Sequence, residues 1–226
     1  MIVIHHAEAR RSERVAWLLE ELGVAYELRF TPGDVIGSVR KLQAESGHGY
    51  GMAPVVEDGD LKLIESAAIL ETLLNRHGDS RLRPALTSPD HPAYLEWLHF
   101  AEGTAMPRFT LEVVQRGLPP AKTAEEQARR EGASAKILAY VDKTLARTPY
   151  FAGQEFSAAD IMMQFPLRIG ASIAAGRKGY PAKLLQPPPE CFAAYPNVGA
   201  FLDRVAARPA FQRMMTATMP QGWPSI

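Results

Sequence analysis

Two short segments, Ala53–Pro54 and Glu65–Ser66, combine residue types that suit recognition of a small extended peptide. Proline cannot donate to a sheet ladder, so Pro54 is unusual at the start of a predicted strand. A cis bond before it would turn the chain sharply and leave the N–H and C=O of Ala53 open to an extended peptide. Glu65–Ser66 begin a predicted helix, whose free N–H groups suit a carboxylate, while the Glu65 carboxylate suits an ammonium. These groups fit a zwitterionic peptide, although ordinary turn chemistry with a serine cap explains them equally well.

Other chemistry-bearing residues do not predict a metal or nucleotide site. His5 and His6 are neighbours on a predicted strand, so their side chains point to opposite faces and one metal would not use both. Cys191 is the single cysteine and can form neither an internal disulfide nor a CxxC pair. The glycines of 47–51 lack the spacing of a dinucleotide fingerprint. We therefore expect no metal.

The composition excludes several classes of partner. The 226 residues include 25 basic and 25 acidic side chains, so there is no surplus of positive charge to neutralise phosphates, and no nucleic-acid partner is expected. No run of about 18 apolar residues occurs, so no membrane span is expected. The apolar start at 1–6 is too short for a signal peptide, which favours a cytoplasmic location.

The elements that must position Ala53 and Glu65 follow a β-α-β-α-β-β-α order. Apolar residues recur on one helix face between 12 and 22, and Gly23 then favours a helix end. Asp58-Gly59-Asp60 predicts a tight hairpin turn. The predicted strands are 2–5, 25–30, 55–57 and 61–63, and the predicted helices are 12–22, 34–45 and 65–77. This order favours a small α/β sandwich with a parallel first strand pair.

The second part of the chain is predicted to be helical. Prolines mark a linker over 81–91, which separates a domain of residues 1–80 from an all-helical domain of residues 92–226. Ser157 and Asp160 have the spacing of a capping box. The predicted helices are about 92–117, 121–147, 157–174 and 197–217.

The sequence resembles the bacterial and fungal branch of the cytosolic glutathione transferases. The resemblance covers nearly the whole chain, and the matching segments occur in the family's order. They are Met1–Glu27, Ala53–Ser66, Tyr94–Gly103, Phe151–Pro166 and Arg208–Phe211.

This resemblance implies a fold, a co-substrate and an oligomeric state. The fold would be α+β, with an N-terminal thioredoxin-like βαβαββα domain followed by an all-α helical bundle domain. Glutathione would be the co-substrate, with its cysteine backbone paired to Ala53 beside Pro54 and its γ-glutamyl end at Glu65–Ser66. Its thiolate would attack a small hydrophobic electrophile held mainly by the helical domain. The family also implies a homodimer.

The sequence departs from the family where the glutathione thiol is activated. The family usually has serine where Arg10 stands, and Ser12 is the nearest hydroxyl, so we predict that Arg10 and Ser12 stabilise the thiolate. Arg40, Lys41 and His48 are candidates for the glycine end of glutathione.

Three residues of the first predicted helix of the helical half are candidates for the acceptor pocket. Met106 and Phe109 are the predicted apolar contacts, and Arg108 is an alternative anion contact. The expected activity is glutathione transfer. A non-catalytic glutathione- or ligand-binding protein, and a glutathione-dependent peroxidase or isomerase, are the alternatives.

Overall fold

A computed structural model describes residues 1–78, 81–119, 121–130, 132–179 and 181–224. The chain forms two compact units. The first comprises Met1–Leu86 together with Arg204–Ile226, and the second comprises Thr87–Asp203. This division differs from the predicted helical domain of residues 92–226, because the C-terminal segment groups with the first unit.

The first unit contains a four-stranded sheet in the order β2-β1-β3-β4. The β1–β2 pair is parallel, as predicted, and the β1–β3 and β3–β4 pairs are antiparallel. With its helices this sheet gives the βαβαββα order of a thioredoxin-like domain. The elements are β1 (Ile2–His5), α1 (Glu13–Leu22), β2 (Tyr26–Arg29), α2 (Val35–Ser46), β3 (Val55–Asp58), β4 (Leu61–Leu63) and α3 (Ser66–His77).

Helix α1 follows directly from its apolar periodicity. Val15, Leu18 and Leu19 are fully buried, so one face of α1 packs into the core of the unit. The helix ends at Gly23, whose φ of 70° lies in the left-handed region and whose N–H donates to the Leu19 carbonyl. Glycine adopts this conformation without the steric cost that a Cβ atom would impose.

Helix α11 (Pro209–Thr218) packs against α1 and explains why the C-terminal segment belongs to the first unit. Arg208 makes a bidentate ion pair with Glu21, at 2.6 Å from Nε to Oε1 and 2.8 Å from Nη2 to Oε2. Trp17 and Phe211 meet edge to face, with ring centroids 4.9 Å apart. Both contacts join residues that lie far apart in the sequence.

The described part of the second unit is built from helices. Its elements are α4 (His91–Phe100), a π-helix (Ala101–Ala105), α5 (Met106–Arg116), α6 (Ala124–Arg130), α7 (Ala133–Leu145), α8 (Ala158–Ala174), α9 (Pro181–Leu184) and a 3₁₀ helix (Pro189–Phe192). Helix α10 (Pro196–Ala206) begins in this unit. The predicted helix 121–147 is two helices, and Gly132, with a φ of 86°, caps the start of α7.

Helix α8 forms the buried centre of the second unit. Its predicted capping box is confirmed: the N–H and the hydroxyl of Ser157 donate to Oδ2 of Asp160, at 2.8 and 3.0 Å. The N–H of Phe151 donates to the other carboxylate oxygen, at 2.9 Å. Along the described residues, no helix has the length and apolar content needed to cross a bilayer.

Candidate functional site

One edge of the sheet in the first unit collects the predicted peptide-binding residues. The parallel strands β1 and β2 end there at His5 and Arg29. Val55 pairs with His5, so antiparallel β3 begins at the same edge. Leu63, at the end of β4, pairs with Val56. The loops after β1 and β2, the segment before β3 and the start of α3 therefore share this edge, and ligands commonly bind beyond the carboxyl ends of parallel strands.

The Ala53–Pro54 peptide bond is cis, which confirms the prediction for this bond. Pro54 is buried, and Ala53 is partly exposed. Neither the N–H nor the C=O of Ala53 hydrogen-bonds to another described residue. Both groups are thus available to an extended peptide laid along the edge, in the way that an added strand would pair.

Glu65 and Ser66 occupy the start of α3, as the sequence predicts. Glu65 has φ 70° and ψ 109°, an unusual conformation for a residue with a Cβ atom, and its side chain is exposed. Such conformations cost about 1–3 kcal/mol and cluster at functional sites. Ser66 is buried, and its hydroxyl accepts a hydrogen bond from Nη1 of Arg14 at 3.4 Å. That contact connects the first turns of α1 and α3.

Ser12 is fully buried, and its hydroxyl hydrogen-bonds to Nδ1 of His6 at 2.7 Å. Nε2 of His6 lies 3.0 Å from the Thr218 carbonyl, which can only accept, so the ring proton sits on Nε2. Burial lowers the pKa of His6 to about 4 and keeps the ring neutral. Nδ1 therefore accepts the hydroxyl proton of Ser12. This arrangement counts against the predicted role of Ser12, because the hydroxyl donor is already engaged away from solvent.

Arg10 is the better placed of the two predicted thiol-activating residues. It lies in the loop between β1 and α1, is partly exposed, and donates from Nη1 to the Ala9 carbonyl at 2.9 Å. Ala9 itself has a φ of 55°, which bends this loop immediately before Arg10. A guanidinium is a planar group of N–H donors with no acceptor, so Arg10 can donate to an anion but cannot take a proton.

Glu8, in the loop between β1 and α1, is a buried carboxylate that the sequence analysis did not single out. Its carboxylate is 1% exposed, and Oε2 accepts a hydrogen bond from the Gly33 N–H at 2.9 Å. Burial raises the pKa of Glu8, and the Gly33 hydrogen bond opposes that shift. The available signal was a carboxylate two residues before the unexpected Arg10, but nothing in the sequence indicated that Glu8 would be buried.

The other predicted binding residues have less support from the structure. Arg40 and Lys41 are exposed on α2 and make no hydrogen bond or ion pair with described residues. Nδ1 of His48 lies 3.0 Å from the backbone N and from the carbonyl oxygen of Tyr50, so this side chain organises its own loop. Which group meets the glycine end of glutathione stays a prediction.

The predicted acceptor-pocket residues lie on α5 of the second unit. Phe109 is fully buried, and a Cβ atom added at Gly170 of α8 would lie 2.6 Å from its ring. This core position counts against the predicted role of Phe109 as a pocket residue. Met106 is 7% exposed, which also fits the core. Arg108 is exposed and remains available to solvent.

Comparison with known proteins agrees with this architecture. The chain matches the glutathione S-transferase N-terminal domain family over residues 5–81 and the C-terminal domain family over residues 103–209. It is 32% identical to glutathione S-transferase 3 of Schizosaccharomyces pombe, covering 93% of this chain and 85% of the relative. It is also 33% identical to glutathione S-transferase 3 of Zea mays, over 90% of this chain and 88% of that relative.

The fold is also similar to that of solved glutathione S-transferase structures. A glutathione S-transferase from Actinobacillus pleuropneumoniae superposes with a TM-score of 0.76 at 26% identity, covering 100% of this chain and 95% of the other. The fold is therefore that of a thioredoxin-like domain joined to a helical domain. With both domain families matched and full-length relatives above 30% identity, the chain belongs to the glutathione S-transferase family.

Proposed function

We propose that the protein is a glutathione transferase that binds glutathione along the sheet edge and adds its thiolate to a small hydrophobic electrophile. The observation that carries this proposal is the pairing of two features at one edge. The backbone groups of Ala53 have no hydrogen-bond partner among the described residues. The start of α3 presents helix N–H groups and the exposed carboxylate of Glu65. Together they complement an extended peptide with a carboxylate and an ammonium at one end.

Arg10 supplies the thiol activation in this proposal. A free thiol has a pKa of ~8.5, and each unit by which a site lowers it corresponds to ~1.4 kcal/mol of preference for the thiolate. Arg10 contributes a fixed positive charge and N–H donors, and the N-terminus of α1 contributes a partial positive charge. Both favour the thiolate without the hydroxyl that the family usually provides.

A non-catalytic glutathione-binding protein is the second candidate function. It is favoured by the engagement of Ser12 with His6, which removes the nearest hydroxyl from thiol chemistry. The two candidates differ in the state of the bound thiol. A transferase holds glutathione as a thiolate at neutral pH, whereas a carrier leaves the thiol pKa near its free value.

The deciding experiment measures binding and thiol ionisation separately. Calorimetry with glutathione tests binding, and the ultraviolet absorbance of bound thiolate against pH gives the thiol pKa. We expect Arg10→Ala to raise that pKa and reduce turnover while glutathione still binds. Arg147→Ala, which removes an exposed arginine of the second unit, is the matched control. Binding without ionisation would support the carrier function, and no binding would refute both.

A homodimer is part of the proposed function. Exposed apolar side chains on helices of the second unit support it: Leu95 on α4 is 38% exposed, and Leu111 and Val114 on α5 are 46% and 57% exposed. Sedimentation should give about twice the chain mass of 24.9 kDa, and a monomer at micromolar concentration would refute the homodimer.

We also propose a cytoplasmic location. Among the described residues, no group of three or more metal-ligating side chains is placed to hold a metal ion.

A further inference from the structure

The loop between β1 and α1 is closed at its base by a buried side-chain hydrogen bond. His6 is the first residue after β1, and Ser12 is the last residue before α1. The Ser12 hydroxyl donates to Nδ1 of His6 at 2.7 Å, and its oxygen accepts from the Ala7 N–H at 3.4 Å. His6 and Ser12 are at most 1% exposed. The two ends of this short loop are therefore held together by groups that water does not reach.

The conformation of the loop needs such support. Ala9 has a φ of 55°, in the left-handed region that is unfavourable for a residue with a Cβ atom. Backbone of this kind persists only where the surrounding structure holds it. Arg10 follows directly, and its Nη1 donates to the Ala9 carbonyl. The place of the Arg10 guanidinium therefore depends on how the backbone of Ala9 is held.

The His6 ring is itself fixed by contacts with two other segments of the first unit. Its backbone N–H donates to the Arg29 carbonyl at the end of β2, at 2.9 Å. The ring meets Phe30 edge to face, with centroids 4.6 Å apart. Nε2 donates to the Thr218 carbonyl at the end of α11, at 3.0 Å. The ring cannot turn without breaking one of these contacts, so Nδ1 stays directed at Ser12.

Histidine suits this position because its two ring nitrogens have opposite roles. With the proton on Nε2, the ring donates to Thr218 and accepts from Ser12 at the same time. Burial lowers the pKa of His6 to about 4, so this pattern of donor and acceptor holds at neutral pH. Asparagine carries its amide at the δ position and glutamine at the ε position, so each of them can replace one ring nitrogen but not both.

We propose that His6 is a positioning residue for the loop that carries Arg10. It holds the Ser12 hydroxyl, and through that hydroxyl the conformation of the loop. The inference rests on the proposed transferase function, in which Arg10 stabilises the glutathione thiolate. Neither His6 nor Ser12 contacts the thiol in this proposal, which agrees with their burial.

The first test measures the loop in the absence of glutathione. Hydrogen exchange of the amides of residues 7–14 is compared in wild type, His6→Gln and His6→Asn. Glutamine keeps a donor for the Thr218 carbonyl, whereas asparagine keeps an acceptor for Ser12 and is the matched control. We expect exchange about tenfold faster in His6→Gln, as for the loss of one hydrogen bond, and close to wild type in His6→Asn. Wild-type exchange in His6→Gln would overturn the inference.

The second test measures the thiol of bound glutathione. Ultraviolet absorbance against pH gives its pKa, and calorimetry gives the Kd. We expect His6→Gln to raise the thiol pKa by about 1 unit, a tenfold smaller ratio of thiolate to thiol, with the Kd little changed. His6→Asn should keep the wild-type thiol pKa. Faster exchange in His6→Gln without a change in the thiol pKa would leave His6 a purely structural role, and equal pKa shifts in both variants would exclude the link through Ser12. Either result overturns the inference.

A double-mutant cycle tests whether His6 acts through Arg10. In the Arg10→Ala background, His6→Gln should cause no further change in the thiol pKa, because the side chain that it positions is gone. An undiminished shift in that background would overturn the inference. Ser12→Ala removes the same link from its other end and should behave alike, so the cycle can be completed even if His6→Gln does not fold.

These tests separate the role of His6 from the function on which it rests. A wild-type protein that binds glutathione without forming thiolate refutes the proposed transferase function, and the inference with it. An Arg10→Ala variant with the wild-type thiol pKa refutes thiol activation by Arg10, and again the inference with it. If wild type forms thiolate and Arg10→Ala raises the thiol pKa while His6→Gln does not, only the role of His6 is refuted.

Discussion

Replacing His6 should change how the stability of the first unit responds to acid. Burial lowers the pKa of His6 in the folded protein to about 4, from 6.5 in an exposed histidine. Between these two pH values, His6 binds a proton in the unfolded chain but not in the folded protein. The stability present above pH 6.5 is therefore lost progressively as the pH falls toward 4.

The expected magnitude follows from the size of that window. A window of about 2.5 pH units, at ~1.36 kcal/mol each, gives about 3 kcal/mol lost from the free energy of unfolding. His6→Gln removes the titrating ring and keeps an amide that can donate to the Thr218 carbonyl. The variant should be less stable than wild type at neutral pH. On acidification, its free energy of unfolding should fall by about 3 kcal/mol less than that of wild type.

The assay is urea unfolding at a series of pH values, followed by tryptophan fluorescence. Trp17 is buried on α1 against Phe211 and contributes the signal of the first unit, while Trp97, buried on α4, contributes that of the second. His99→Gln, which removes an exposed histidine of α4, is the control and should follow the wild-type pH dependence. If wild type and His6→Gln show parallel pH dependence through this window, the assignment of a neutral buried His6 is refuted.

Two further predictions concern the core of the second unit. Asp160→Asn should lower the free energy of unfolding by about 2 kcal/mol, because the amide nitrogen must face N–H donors of Ser157 or Phe151. A thermal midpoint equal to that of wild type would contradict this. Gly170→Ala should cost about 1–3 kcal/mol, since the new Cβ would lie 2.6 Å from the Phe109 ring. Adding Phe109→Leu should recover part of that loss in the same urea titration, and no recovery would argue against the steric cause.

The sequence predicted those elements whose buried face follows a regular spacing of apolar residues along the chain. Val15, Leu18 and Leu19 share one helix face, and all three are buried in α1. Gly23 ends that helix with a positive φ, as its position suggested. In these segments the residues that determine the structure are neighbours in the chain, so their spacing contains the needed information.

The sequence did not predict contacts between distant segments. The ion pair between Arg208 and Glu21 joins residues 187 positions apart, and periodicity within either helix does not indicate the other as its partner. The same limitation applies to the site. Ser12 was predicted to stabilise the thiolate because it is the nearest hydroxyl. Its environment, however, depends on His6 and on the carbonyl of Thr218, which only folding brings together.

The packing of α11 on α1 also determines when the first unit can be completed during synthesis. Ribosomes add about 5–20 residues per second, so Arg208 follows Glu21 by roughly 10–40 s. Throughout that interval the face of α1 that receives Phe211 is uncovered in the nascent chain. A growing polypeptide of this kind offers chaperones an apolar surface until α11 leaves the exit tunnel.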